Sequence, residues 1–234
     1  MRSYREEVPR RAARPGFGQA LEPALEIEGY TLPVELNMLY HLALEIEGPG
    51  AVVEIGSYLG RSTVVLGRAV ADGGREPVIA VDPHTSALGY EGEEPRATDR
   101  EFLRNVERAG VADHVRLMHT TSVEAAAGWS GEPVRLLFVD GWHSYDAVTE
   151  DVRAWGPYLT PTAWIVFDDV NHPGLRPAIR DLQRAGDVPA DRLFVGKMLA
   201  CGPATPPVFV PSPPGAATIA RLGDRAIDFA FRYA

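Results

Sequence analysis

Residues 51–63 read Ala51-Val52-Val53-Glu54-Ile55-Gly56-Ser57-Tyr58-Leu59-Gly60-Arg61-Ser62-Thr63, and this stretch decides the fold class. AVVEI is a short β-rich run, of strand length rather than helix length. The glycines that follow permit a tight turn and close approach to a ligand. A helical pattern then opens near Arg61, and the N–H groups of its first turn can face an anion. Strand, glycine loop and helix in that order form the first half of a βαβ unit. Spacing separates the ligand classes that use such loops. A P-loop requires G-x-x-x-x-G-K-[ST], but Ile55 occupies its first glycine position and Arg61 its lysine position. The dinucleotide fingerprint G-x-G-x-x-G fails at Tyr58, where its second glycine must let a pyrophosphate approach.

Outward from this loop, β-rich and helical runs alternate from Ala51 to Ala200, which predicts a doubly wound α/β domain on a mainly parallel sheet. Strands are expected at 51–55, 77–82, 114–119, 134–140, 163–169 and 192–199. Helices should begin near Arg61, Pro95, Ser122, Ser144 and Gly174. In the fourth of these, Tyr145, Val148, Val152 and Trp155 share one face, Ser144 suits the N-cap and Asp146 the first turn. The organisation read from the chain is an N-terminal arm and helical cap (1–48, helical over roughly Pro33 to Glu47) and a core (49–200). A Pro/Gly-rich loop with a final amphipathic stretch, ATIARLGDRAIDFAFRY, fills 201–234, and VFV within that loop could form an edge strand. The repeated ALEIEG at 24–29 and 43–48 is too short to mark a repeat architecture.

Composition narrows the function classes. Of 234 residues, 45% are hydrophobic and 24% charged, as in ordinary globular proteins. The formal charge of -9 argues against a nucleic-acid backbone as partner, despite the basic N-terminal arm. No apolar run is long enough for a membrane span and the N-terminus has no hydrophobic signal, so no membrane partner and a cytoplasmic address are expected. The single cysteine, Cys201, excludes an internal disulfide and a thiolate zinc cluster.

Acidic residues mark the ends of several strands. Asp82 closes PVIAVD, Asp140 closes VRLLFVD, and Asp168 and Asp169 close AWIVFDD. In open parallel sheets ligands bind beyond the carboxyl ends of the strands. Neighbouring strands lie about 4.8 Å apart, so carboxylates on adjacent tips can share one hard cation such as Mg²⁺ or Mn²⁺. Without a counter-charge they would repel, so a metal or a change of protonation must relieve them. Successive strand residues face opposite ways, so Asp168 and Asp169 can serve one site only if the chain turns there, as Asn171 and Pro173 suggest. His143, three residues after Asp140, stands where a neutral imidazole could take a proton from a substrate hydroxyl.

Taken together, EIGSYLGRST, VIAVD, FVDGWHSYDAVTEDVRAW and IVFDDV resemble the class I S-adenosylmethionine-dependent methyltransferases, in particular the metal-dependent macrocin and rhamnosyl (sugar) O-methyltransferases. The resemblance covers roughly residues 30 to 200, and the D-G-x-H-x-Y run from Asp140 is its most specific part. It implies a loop at Glu54, Gly56 and Ser57 facing the methionine end of the cofactor, with Asp82 on the ribose diol. It also implies Mg²⁺ on Asp140, Asp168 and Asp169, with His143 as base and Asp140 close to the cofactor as well. A more distant similarity to catechol O-methyltransferases adds Tyr58 and Ser62 as cofactor contacts and Ser122 near the adenine. That branch usually has Lys at the place of His143 and Asn at the place of Asp169, so both positions favour the sugar-type branch. The expected reaction is transfer of a methyl group to a hydroxyl of a small molecule, a sugar of an antibiotic or other secondary metabolite. A catechol or phenol acceptor and a non-catalytic cofactor-binding role are the alternatives. The sugar-type relatives are oligomers, which implies a homo-oligomer here.

Overall fold

The computed structural model describes residues 16–85 and 96–203. Two helices, α1 (Gly16–Glu26) and α2 (Pro33–Glu45), precede β1 (Ala51–Ile55), α3 (Arg61–Gly73) and β2 (Val78–Val81). Then come α4 (Asp99–Arg108), β3 (Val115–Met118), α5 (Ser122–Ala127), β4 (Val134–Val139), α6 (Tyr145–Trp155) and β5 (Leu159–Phe167). The described part closes with α7 (Leu175–Ala185), β6 (Asp191–Val195) and β7 (Met198–Gly202). The strands form one sheet in the order β3-β2-β1-β4-β5-β7-β6. The first five are parallel, and β7 runs antiparallel to both β5 and β6. This is the doubly wound α/β fold that the alternating pattern predicts. The basic arm through residue 15, the VFV run and the final amphipathic stretch lie outside the described residues.

The sheet is covered on both faces, as a parallel sheet must be. Every residue of β1, β2 and β4 is buried. Side chains alternate across it: Val52, Leu136, Phe138 and Val166 pack with α1 to α4 on one face, and Val53, Leu137, Val139, Ile165 and Phe167 with α5 to α7 on the other. In α6, Val148, Val152 and Trp155 are buried as the 3.6-residue spacing requires. Tyr145 departs from that face: it is 41% exposed, and its hydroxyl reaches Asp181 Oδ2 at 3.3 Å. Its place in the first turn lets the side chain swing off the buried stripe. The Ser144 hydroxyl accepts from the Ala147 N–H at 3.1 Å and caps the helix.

One helix adds to the sequence reading and one expected strand is corrected. A helix forms over Gly16–Glu26, which the reading left within the arm and cap, although Pro23 lies inside it. It buries Phe17, Ala20, Leu21 and Ala24 at helical spacing. The single strand expected at 192–199 is instead a hairpin, β6 and β7, turned at Gly196 and Lys197. Gly196 has φ +60, a left-handed conformation that a strand interior excludes. Among the described residues no helix is long and apolar enough to cross a membrane.

Candidate active site

Sheet order reverses direction between β1 and β4, and at such a switch point the loops diverge to leave a crevice. The glycine loop leaves β1 on one side, and Asp140 ends β4 on the other. The Gly56 N–H donates to Val81 O at 2.9 Å, and the Asp140 N–H to Ile55 O at 2.9 Å. Gly56 has φ +85, and a Cβ there would stand 2.2 Å from the Asp140 carbonyl oxygen. Only glycine fits, so the loop lies directly against the β4 tip. Tyr58 also adopts positive φ, +46, which is unusual for a bulky residue and signals a loop held in place by its surroundings.

Asp82 accepts from the Tyr58 N–H at 2.8 Å and from the His84 N–H at 2.6 Å. It thereby ties the glycine loop to the end of β2. Each carboxylate oxygen keeps a second lone-pair direction for a further donor, such as a diol hydroxyl. The Ser57 hydroxyl is buried without a hydrogen-bond partner among the described residues. The Gly56 approach, the Asp82 carboxylate and the Ser57 hydroxyl together fit a small cofactor with hydroxyl and charged groups. The Tyr58 hydroxyl donates to Glu28 Oε1 and accepts from Arg96 Nη2, both at 2.8 Å, so a residue preceding α2 closes over the loop.

Glu54 and Ser62 bond to one another. Ser62 Oγ and Thr63 Oγ1 donate to the two oxygens of the fully buried Glu54, each at 2.5 Å, and brace β1 to the first turn of α3. Burial raises the Glu54 pKa from 4.5 to about 7, the two hydroxyls opposing the rise. Because the folded pKa is raised, the stability this group contributes is full below about 4.5 and is lost as pH rises through 7. The Tm advantage of wild type over Glu54→Gln should therefore be larger at pH 5 than at pH 8. Equal differences in thermal melts at the two pH values would show that Glu54 is not the titrating group. Ser122 accepts from Trp155 Nε1 at 3.1 Å at the start of α5.

The acidic cluster stands at the tips of β4 and β5. Asp169 has φ +48, so the chain turns after Asp168 and both carboxylates reach one cation, the Lys197 ammonium. Lys197 Nζ lies 2.6 Å from Asp168 Oδ2 and 3.1 Å from Asp169 Oδ1. Burial alone would lower the lysine pKa, but Asp168, then Asp140 and Asp169, more than offset this and raise it. Burial, then Asp168, raises the Asp140 pKa well above the usual range. His143 Nε2 stands 3.7 Å from Asp140 Oδ1 and 3.7 Å from Asp169 Oδ2, beyond hydrogen-bond length, and is buried without a hydrogen-bond partner among the described residues. Burial lowers its pKa, opposed by Asp169 and Asp168, which favours the neutral imidazole.

One ligand atom from each of Asp140, His143 and Asp169 falls within 4.8 Å of the others, an arrangement able to converge on a metal ion. Asp168 stands apart from that trio: Oδ2 is committed to Lys197, and the buried Oδ1 has no hydrogen-bond partner among the described residues. Three orphaned polar atoms, on Ser57, His143 and Asp168, thus belong to the crevice where β1, β4 and β5 end. Sequence reasoning missed Lys197. It also missed His172, whose ring lies 5.8 Å from that of His143 after the turn at Asp169.

A family model described as a methyltransferase domain matches residues 53–170, from β1 through the turn after β5. The chain belongs to this methyltransferase family. The match takes in the glycine loop, Asp82, Asp140, His143 and the Asp168–Asp169 pair. The chain is also 31% identical over 128 residues to the uncharacterized protein y4gI of Sinorhizobium fredii, which covers 52% of this chain. It spans only 13% of the length of that curated relative. Among solved structures it is similar to TomG of Streptomyces achromogenes, an O-methyltransferase involved in tomaymycin synthesis, in complex with S-adenosylmethionine. That similarity has TM-score 0.57 and 20% identity, over 81% of this chain and 90% of that one. It is also similar to CalS11, a TDP-rhamnose 3'-O-methyltransferase of calicheamicin biosynthesis (TM-score 0.50, 19% identity, 73% of this chain and 78% of that one). At these identities the likeness establishes the shared methyltransferase fold.

Proposed function

We propose that the crevice between the glycine loop and the acidic tips carries out methyl transfer from S-adenosylmethionine to a hydroxyl oxygen of a small molecule, assisted by Mg²⁺ or Mn²⁺. The acceptor we favour is a sugar hydroxyl of a secondary metabolite. The observation that carries this reading is the convergence of Asp140, His143 and Asp169 around an unpartnered, neutral-favouring imidazole. The methyltransferase family and the fold shared with TomG and CalS11 support it.

The side chains divide the work. Gly56 and Ser57 leave room and a free hydroxyl for the methionine end of the cofactor, and Asp82 accepts from the ribose diol. Tyr58 lies in the same loop and is tied to Asp82 through its N–H, while Ser62 and the buried Glu54 brace that loop from behind rather than meeting the cofactor. Asp140 and Asp169 would hold the divalent cation, with Asp168 beside them through its unpaired oxygen. When bound, the cation would lower the pKa of the acceptor hydroxyl, and the cofactor would supply an electrophilic methyl group. His143 accepts the hydroxyl proton at Nε2, and the two flanking carboxylates favour the imidazolium that results. Holding the acceptor oxygen in line with the methyl converts an encounter into an effectively unimolecular step. Trp142, 58% exposed beside His143, offers an apolar surface to either a sugar face or an aromatic ring. Protein incubated with S-adenosylmethionine, Mg²⁺ and parallel panels of deoxysugar glycosides and catechols should yield O-methylated glycosides by mass spectrometry. Methylated catechols alone would move the acceptor to the phenol class.

A further inference from the structure

The acidic tips hold a cation that the chain itself supplies. Lys197 sits on the two-residue turn between β6 and β7, far in sequence from every other residue of the site. Its Nζ bridges Asp168 Oδ2 and Asp169 Oδ1, at 2.6 and 3.1 Å. Its backbone is pinned from the other side. The Lys197 N–H donates to Glu35 Oε1 at 2.7 Å, and the Lys197 carbonyl accepts from the Val170 N–H at 3.0 Å. Glu35 is fully buried on α2, and its second oxygen accepts from the Leu32 N–H at 2.7 Å. Gly196 admits this packing, since a Cβ there would stand 2.3 Å from Glu35 Oε1. The side chain of Lys197 is only 12% exposed. The ammonium is therefore a fixed charge, held by the first helical layer against the tips of the sheet.

We infer that Lys197 is a positioning residue that sets the divalent-cation affinity of the site: its ammonium occupies Asp168 Oδ2, leaving Oδ1 for the cation, and weakens metal binding by charge repulsion. The inference rests on the cation-assisted reading above, because it assigns this chain's lysine a role toward that cation. A unit charge a few ångströms from a second cation costs on the order of kilocalories per mole at an effective dielectric of about 20. Two further consequences follow. In the metal-free protein the lysine relieves the carboxylate repulsion, so the site stays folded and ready. With metal present, Asp169 is shared between lysine and ion, which keeps the ion exchangeable.

The test is Mn²⁺ binding, by isothermal titration and by electron paramagnetic resonance of free Mn²⁺, on wild type, Lys197→Met and Lys197→Arg without acceptor. Wild type should bind Mn²⁺. Lys197→Met, of similar length but uncharged, should bind about tenfold tighter or more. Lys197→Arg, which keeps the charge, should stay within a few-fold of wild type. Should the Met variant not fold by circular dichroism, Lys197→Gln keeps a donor to Asp168 without the charge and carries the same expectation. Affinity unchanged or weakened in the uncharged variants, with wild type binding Mn²⁺, would overturn the role of Lys197 alone. Tightening in the Arg variant equal to that in the Met variant would do so too, since shape and not charge would then be responsible. No Mn²⁺ binding in wild type or any uncharged variant would overturn the cation-assisted reading itself, and the inference with it.

Discussion

Replacing His143 by Gln should lower kcat by about 10²–10⁴-fold, the range for loss of a general base, while Mn²⁺ and S-adenosylhomocysteine bind nearly as before. Nε2 has no hydrogen-bond partner among the described residues and stands 3.7 Å from both Asp140 and Asp169, so it is poised to receive a proton rather than locked in a structural bond. The same position also permits metal ligation, and the two roles separate cleanly. A base leaves metal affinity intact and removes rate; a ligand loses both. Burial favours the neutral imidazole below its ordinary pKa of 6.5, so the wild-type rate should hold to lower pH than an exposed histidine would allow. That acid limb should flatten in His143→Gln. Titration calorimetry with Mn²⁺ beside steady-state kinetics decides it: lost metal binding in the variant would make His143 a ligand, and unaltered kcat would remove it from the reaction.

The core of the fold was legible because its signals are local. AVVEI, VIAVD, VRLLFVD and AWIVFDD are short apolar runs closed by a glycine or an acid, and the burial of β1, β2 and β4 on both faces is what such runs require. Asp82, Asp140 and the Asp168–Asp169 pair could be found the same way, since ligands gather at strand ends. The need for a turn at the acidic pair was legible too, and the positive φ of Asp169 supplies it.

Lys197 was hidden by a misread period. RLFVGKML looks like one apolar strand, and its lysine then seems an ordinary outward-facing residue. Two apolar runs separated by two residues, the first a glycine able to take positive φ, is a hairpin signal. Read so, it would have put Lys197 at a sheet end, beside Asp168 and Asp169. The sequence points to a metal or a proton as the relief of the acidic cluster, and the Lys197 ammonium supplies part of that relief from within the chain. The pairing of Glu54 with Ser62 and Thr63 was illegible for another reason. It depends on which way three side chains turn at the start of α3, and neither spacing nor composition fixes that.

Removing divalent metal should abolish turnover and restoring it should bring turnover back. Asp140, Asp169 and Asp168 offer oxygen ligands that suit hard cations, and the buried Asp168 Oδ1 has no partner among the described residues. The Lys197 ammonium neutralises part of this charge, and among the described residues it pairs with Asp168 and Asp169. Asp140, whose pKa is raised by burial and then by Asp168, is left to a further cation or a proton. The deciding measurement is transfer of labelled methyl from S-adenosylmethionine to a hydroxyl acceptor, run in excess EDTA and again after Mg²⁺ or Mn²⁺ is returned in excess of chelator. The account predicts loss of O-methylated product in chelator and recovery with either metal. Full turnover in excess EDTA would contradict it and leave Lys197 as the cation that serves the acidic site.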